Sequence, residues 1–320
     1  MRRLWGTGVG AGVLAGALLL AGCGDPGSGG ETRAAAPLPG NPGHSGRSAH
    51  AGPSDAGDPA PAPRRGAAAK PRREAPKVLY LGDSLAMENQ DVLGALLKDR
   101  LGARYRSAPY SGTTLCDYLE GTGKDSLVPD RDKAAVLVRA ERPDYVVLQF
   151  WGNAWGYTPC MDGITYAEAR EKYFDRYAAD ARALAAQIAS AGGGSGRPRV
   201  VWVLQGPDPI TPDRVRRVNG LYEAQVHAGG GLLADAGKAV APASSRYTWA
   251  ETLPCTSYEV KHPAYCTDPA RGRTALHRGD DYLHFCLAPT TPKSRPCPTR
   301  SPGVRRMASA ITSRVAADLR

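Results

Sequence analysis

The sequence predicts a three-layer α/β domain with a mostly parallel central sheet and disulfide-stapled loops. Three observations lead there. Short apolar runs rich in β-branched residues, Val78–Leu81, Tyr145–Phe150 and Val200–Leu204, have the length of buried strands. Helix-length segments punctuated by Gly and Pro separate them, and strands alternating with helices imply βαβ units with both sheet faces covered. An even set of cysteines falls between or beyond these elements.

At 320 residues the chain holds one large domain or two small ones, and 42% hydrophobic content supports a core. The first quarter does not share that composition. Residues 1–22 read as an export signal, with Arg2 and Arg3 ahead of an apolar stretch, Val9–Ala21, too short to span a bilayer comfortably. It ends in Leu20-Ala21-Gly22-Cys23, which resembles the bacterial lipoprotein signal, or lipobox. That resemblance implies acylation of Cys23 as the new N-terminus and a location on the outer face of the bacterial cell membrane. Residues 23–76 are Gly, Pro, Ala, Ser and Arg with almost no large apolar side chains. They cannot bury enough surface to offset ordering entropy and read as a disordered tether. The folded part is then 77–320.

Val78–Leu81 is the first strand. Gly82 ends it, and Asp83 and Ser84 are typical helix-entry residues before a helix over Glu88–Leu101. Ala103–Ser107 reads as a second, weaker strand, followed by the loop Tyr110–Thr114. Asp132–Arg142 reads as a helix closed by Pro143, and Tyr145–Phe150 as a strong strand with Trp151-Gly152-Asn153 at its end. Thr165-Tyr166-Ala167-Glu168 has the spacing of a capping box for a helix reaching about Ala191, stopped by a Gly-rich run. Val200–Leu204 is a strand, Pro212–His227 a helix and Leu232–Ala234 a short last strand. Residues 242–300 read as loop, and Ser301-Pro302 opens a C-terminal helix with proline at its first position.

With Cys23 assigned to lipid, six cysteines remain: Cys116, Cys160, Cys255, Cys266, Cys286 and Cys297. An even count in an exported chain points to disulfides. Six cysteines admit fifteen pairings, and sequence alone does not choose among them. The expected set is Cys116–Cys160, tying loops after two adjacent strands, with Cys255–Cys266 and Cys286–Cys297 closing short loops. No two of these cysteines have CxxC spacing, so no metal site is expected. The net charge is +10, of which residues 1–76 carry +4 and the folded part +6. There is no basic stripe interleaved with aromatics, so a nucleic-acid partner is not expected.

In a mostly parallel sheet, sites gather beyond the carboxyl ends of the strands. Ser84, Gly112 and Asn153 all lie there. As a cap alone, Ser84 needs no further role; as a nucleophile it needs a base. Of the six histidines, His284 stands apart in having an aspartate three residues earlier, in Asp281-Tyr282-Leu283-His284. A carboxylate on one imidazole nitrogen sets the tautomer and frees the other to take a serine proton. Asp280, four residues before His284, competes with Asp281 for that place.

Together these pieces resemble the SGNH hydrolases, also called GDSL esterases or lipases. Gly82-Asp83-Ser84-Leu85 matches the first block in full, Gly112 the second, Asn153 the third and Asp281-Tyr282-Leu283-His284 the last. The resemblance covers roughly 77–320. It departs in the third block, usually Gly-x-Asn-Asp and here Trp151-Gly152-Asn153-Ala154, which questions the backbone geometry more than the identity of the asparagine.

The resemblance implies a flavodoxin-like sandwich and a serine esterase without cofactor. Ser84 would be the nucleophile, His284 the base and Asp281 its orienting acid. The Ser84 and Gly112 N–H groups and the Asn153 amide would form the oxyanion hole. An ester substrate is implied, acetyl groups on cell-surface carbohydrate among the candidates, acted on by a lipid-anchored monomer. A sugar O-acyltransferase using the same serine and a non-catalytic binding lipoprotein are the alternatives.

Overall fold

The computed structural model describes residues 74–122, 124–289 and 295–320, all within the compact unit Ala68–Arg320. The expected signal segment, Cys23 and the tether up to residue 73 lie outside the described residues.

Five parallel strands form the central sheet in the order β2-β1-β3-β4-β5. They are β1 (Lys77–Gly82), β2 (Arg104–Ser107), β3 (Tyr145–Gln149), β4 (Arg199–Val203) and β5 (Leu232–Ala234). Register is continuous, with Leu79 beside Val146 and Val146 beside Val200. Alternation along the strands divides the core. Val78, Tyr80, Val147, Val201 and Val203 face α1 (Ser84–Leu101) and α6 (Pro302–Asp318). Leu79, Leu81, Val146, Leu148 and Trp202 face α2 (Ala134–Glu141), α3 (Arg170–Gly192) and α4 (Pro212–Gly229). The result is the three-layer sandwich. Each fully buried Leu or Val here contributes roughly 1.5–3 kcal/mol of transfer free energy.

The strand order changes direction between β1 and β3, so their carboxyl ends open a crevice rather than being bridged by a connection. Gly82 sits in that crevice because a Cβ there would lie 2.0 Å from the Gln149 carbonyl oxygen. Only a bare backbone lets the two strand ends approach this closely.

Some element boundaries differ from expectation. Helix α1 begins at Ser84, a turn before Glu88, because the Asp83 side chain caps it by accepting from the Leu85 N–H at 3.0 Å. Half of the Thr165–Glu168 box forms, with the Glu168 N–H on Thr165 Oγ1 at 3.2 Å and the Thr165 hydroxyl donating to the Glu168 carboxylate, yet α3 starts at Arg170. The half-formed box closes a separate turn, and Ala169 (φ −143, ψ 57) breaks the path before the helix. The stretch read as loop contains an antiparallel hairpin, β6 (Thr252–Pro254) with β7 (Arg273–Ala275), and a short helix α5 (Ser257–Lys261) between them. Two three-residue strands carry too little pattern to register as a period.

The cysteines pair as Cys116–Cys160, Cys255–Cys266 and Cys286–Cys297. The first joins the loops that follow β2 and β3, and the second staples the chain between β6 and β7. Thiol titration of the unreduced protein should therefore find no reactive thiol among these six. Reduction should lower stability by about 2–4 kcal/mol per bridge, read from the denaturation midpoint. Six titratable thiols would contradict the pairing.

Candidate active site

Ser84 is the first residue of α1, directly beyond β1, so its N–H is among those the helix leaves unpaired. Its Oγ lies 2.9 Å from His284 Nε2. His284 Nδ1 meets Asp281 Oδ2 at 2.8 Å, while Asp281 Oδ1 accepts from the Leu283 and His284 N–H groups, both at 3.1 Å. Asp280 turns away to Arg278 at 2.9 Å and is exposed. Three side chains spread over two hundred positions thus form one hydrogen-bonded line.

Two loops build the other side of the cleft. Gly112 lines the same cleft as Ser84 and His284, in a turn where Thr113 Oγ1 donates to the Tyr110 carbonyl at 2.7 Å. Asn153 also lines it. Its Nδ2 donates to the Thr113 carbonyl at 3.0 Å and lies 3.4 Å from Asp83 Oδ2, a length at which a hydrogen bond is weak. The third-block departure has a local answer. Gly152, not Trp151, takes the left-handed backbone (φ 90). Trp151 is buried and stacks under the Arg214 guanidinium, 3.4 Å from the ring centroid. Arg214 is itself buried, paired with Asp208 at 3.0 Å and bonded to the Gly152 carbonyl at 3.0 Å.

Glu88 and His277 were given no role in the site from the sequence, and Asp83 was read there as a helix-entry residue. Asp83 is fully buried; besides capping α1 it accepts the Trp151 N–H at 2.6 Å. Burial raises its carboxyl to about 6, against hydrogen bonds from Trp151 and Leu85 that lower it. Glu88 lies one helical turn beyond Ser84. Its buried carboxylate accepts from the Phe285 N–H at 3.0 Å and the Cys286 N–H at 3.3 Å, and its carbonyl takes the Cys297 N–H at 3.3 Å. Burial pushes Glu88 up to about 7. His277 Nδ1–H donates to the His284 carbonyl, 3.1 Å away; burial lowers His277 to about 4, so the ring is neutral near pH 7. The i, i+4 spacing of Ser84 and Glu88 was visible in the sequence, but a carboxylate on a helix is ordinarily a solvated one.

Electrostatics favour a charged couple at the base. Burial alone would lower His284, but the Asp281 hydrogen bond and the charges of Glu88, Asp281 and Asp83 outweigh it and raise the imidazole above its ordinary 6.5. Asp281, despite partial burial, is held far below the usual carboxylate range by His284 and two backbone N–H groups. Among the described residues no group of three His, Cys, Asp or Glu side chains is arranged to hold a metal ion. The cleft encloses about 200 Å³.

No protein-family model matches the chain, and no curated protein matches it. Among solved structures it is similar to a carbohydrate acetylesterase from Sinorhizobium meliloti, at 18% identity over 76% of this chain and 99% of that one, TM-score 0.44. It is similar also to a family 3 carbohydrate esterase from Talaromyces cellulolyticus, at 14% over 76% and 97%, TM-score 0.44. A psychrotrophic esterase from Pseudoalteromonas sp. is 12% identical over 76% and 98%, TM-score 0.41.

A base must be neutral to accept a proton, and the fold favours protonated His284. Any turnover that depends on His284 should thus rise with pH through a midpoint above 6.5. Glu88→Gln keeps an acceptor for the Phe285 N–H but removes the negative charge that Glu88, pushed up to about 7, carries beside the ring toward the upper end of that limb. It should move that acidic limb to lower pH in a kcat/KM profile. A limb that stays in place would show that His284 does not feel Glu88.

Proposed function

We propose that the domain is a serine esterase of the SGNH hydrolase type acting on carboxylic esters with a short acyl group. One observation carries the reading: Ser84 Oγ, His284 Nε2, His284 Nδ1 and Asp281 Oδ2 form a line with contacts of 2.9 and 2.8 Å at the mouth of a cleft. That is the order nucleophile, base and orienting acid require.

In this mechanism Ser84 Oγ gives its proton to His284 Nε2 as it bonds to the ester carbonyl carbon. The carbonyl electron pair moves onto oxygen, facing the Ser84 and Gly112 N–H groups and the Asn153 amide. Collapse expels the alcohol, which takes the proton from His284 and leaves Ser84 acylated. Water then loses a proton to His284, bonds the acyl carbon and displaces Ser84 Oγ, which recovers the proton as the acid leaves. Transfer to a sugar hydroxyl would use the same acyl-serine. The His284 side chain is 24% exposed and the neighbouring Tyr157 60% exposed, which favours water as the acceptor. A cleft of about 200 Å³ suits an acetyl-sized group better than a fatty chain.

The three disulfides suit an oxidising compartment, in line with an exported domain. Export, anchoring through Cys23 and a tether over 23–76 are part of the proposal; acetylated surface glycan is an ester such a domain would meet.

Ser84→Ala should lower kcat on a small acetyl ester by at least ~10³-fold with little change in melting point. His284→Ala should be nearly as damaging, and the double variant little worse than either, since residues acting as a unit lose activity non-additively. Asn153→Ala should cost on the order of 10²–10³-fold. An active Ser84→Ala protein melting slightly lower would leave Ser84 as a helix cap and end the proposal. Separately, Cys23→Ser should abolish lipid labelling and release the protein from membranes; unchanged retention would refute the anchor.

A further inference from the structure

Trp151, Trp155 and Tyr157 form a ladder along one wall of the cleft. Trp151 and Trp155 have centroids 6.2 Å apart at 19°, and Trp155 and Tyr157 are 6.5 Å apart at 19°. The inner end is fixed, since Trp151 is buried beneath the Arg214 guanidinium. The outer rings are open to solvent, Trp155 42% and Tyr157 60%. Their carrier is held in place: the Trp155 N–H donates to Thr158 Oγ1 at 3.1 Å and the Thr158 N–H returns to the Trp155 carbonyl at 2.9 Å. Two residues on, Cys160 is tied to Cys116. A rigid, exposed aromatic pair beside a nucleophile loses little entropy when a ligand settles on it.

Trp155 has a second engagement. Its indole Nε1–H donates to Asn153 Oδ1 at 3.0 Å. An indole N–H only donates, so the atom it meets must be the carboxamide oxygen. This bond leaves Asn153 Nδ2 directed at the Thr113 carbonyl and, weakly, at Asp83 Oδ2, in a side chain that lines the cleft. Trp155 therefore presents a ring at the cleft and also sets the orientation of the Asn153 amide.

The lining selects the kind of alcohol. Ser84, Leu85, Ser111, Gly112, Trp151, Asn153, Trp155, Tyr157 and Leu283 are uncharged, and His284 is the one titratable group besides the Tyr157 phenol. A cationic alcohol would meet no counter-charge there, and an anionic one no lysine or arginine. A pyranose is neutral, carries polar hydroxyls around its edge and shows a face of C–H bonds that complements the electron-rich face of an aromatic ring. The enclosed volume takes the acyl group, leaving the ring to lie on the open Trp155–Tyr157 face.

We propose that Trp155 is a positioning residue that links stacking of the sugar ring of an acylated carbohydrate, on Trp155 and Tyr157, to the orientation of the Asn153 amide. The proposal rests on the esterase reading above. It goes further in assigning the alcohol and in joining its recognition to the oxyanion side of the site.

The test uses the full chain, with acetylated methyl xyloside and ethyl acetate as paired substrates. Trp155→Phe keeps a ring face and loses the N–H, so kcat should fall about 10-fold on both esters, the worth of one net hydrogen bond, with the xyloside KM little changed. Tyr157→Ala should raise the xyloside KM about 5- to 10-fold, well beyond any change it makes with ethyl acetate. Unchanged kcat in Trp155→Phe would overturn the positioning role. Equal effects of Tyr157→Ala on both esters would overturn the sugar platform while the esterase reading stands. Quenching of tryptophan fluorescence by the acetylated xyloside in Ser84→Ala reads the platform without turnover. Saturable quenching that Tyr157→Ala abolishes supports the platform, and no quenching overturns it. Failure of both esters to turn over in the unmodified chain would instead count against the esterase reading.

Discussion

The site depends on one buried carboxylate. Asp83 Oδ1 caps α1 through the Leu85 N–H and its Oδ2 takes the Trp151 N–H, while the Asp83 N–H donates to the Gln149 carbonyl at 3.2 Å. The end of β1, the start of α1 and the end of β3 are thereby locked to one residue. A buried carboxylate without donors would be costly; here each oxygen has a backbone N–H, and a preference for protonation up to about 6 is the remaining trace of burial. Because Ser84 follows Asp83 and Asn153 follows Trp151, Ser84 and the Asn153 amide inherit their spacing from this junction.

His284 is positioned by a comparable device. His284 belongs to a segment with no regular secondary structure, yet it is anchored at three points. Glu88 holds the N–H groups of Phe285 and Cys286, His277 holds the His284 carbonyl, and Cys286 is bonded to Cys297, whose N–H returns to the Glu88 carbonyl. Helix α1 therefore carries Ser84 on its first turn and the support of His284 on its second. The distance between Ser84 and His284 is governed by a rigid helix rather than by loop closure over two hundred residues. Glu88 serves twice, since its charge also favours the imidazolium.

Trp151 shows how a departure from a family pattern can be absorbed. The left-handed backbone is shifted to Gly152, where a Cβ would lie 2.8 Å from the Tyr173 hydroxyl. The indole is packed under Arg214, whose charge is met by Asp208. The indole is a flat, buried base on which Trp155 and Tyr157 stack, and it gives the cleft its aromatic wall.

What the sequence determined by itself were properties with a local cause. Four of the five central strands were legible as short apolar runs, because a strand covered on both faces must be apolar throughout, while the edge strand β2 (Arg104–Ser107) carries exposed arginines and gave a weaker signal. The helices followed from Gly and Pro punctuation, and Ser84, Gly112, Asn153 and the Asp281–His284 pair from their places after strands and their spacing. Tertiary structure decided the remainder, because those choices are made between residues distant in the chain. Asp281 and Asp280 are equivalent by spacing, and the turn that gives Asp281 two backbone N–H groups while sending Asp280 to Arg278 separates them. The disulfide partners were one of many arrangements until the loops after β2 and β3 met. The start of α3 moved because a half-formed capping box closed on a turn of its own. Asp83, Glu88 and Trp155 carry the site through contacts with Trp151, Phe285 and Asn153, and a hydrogen bond to a backbone or amide far along the chain leaves no period or motif behind.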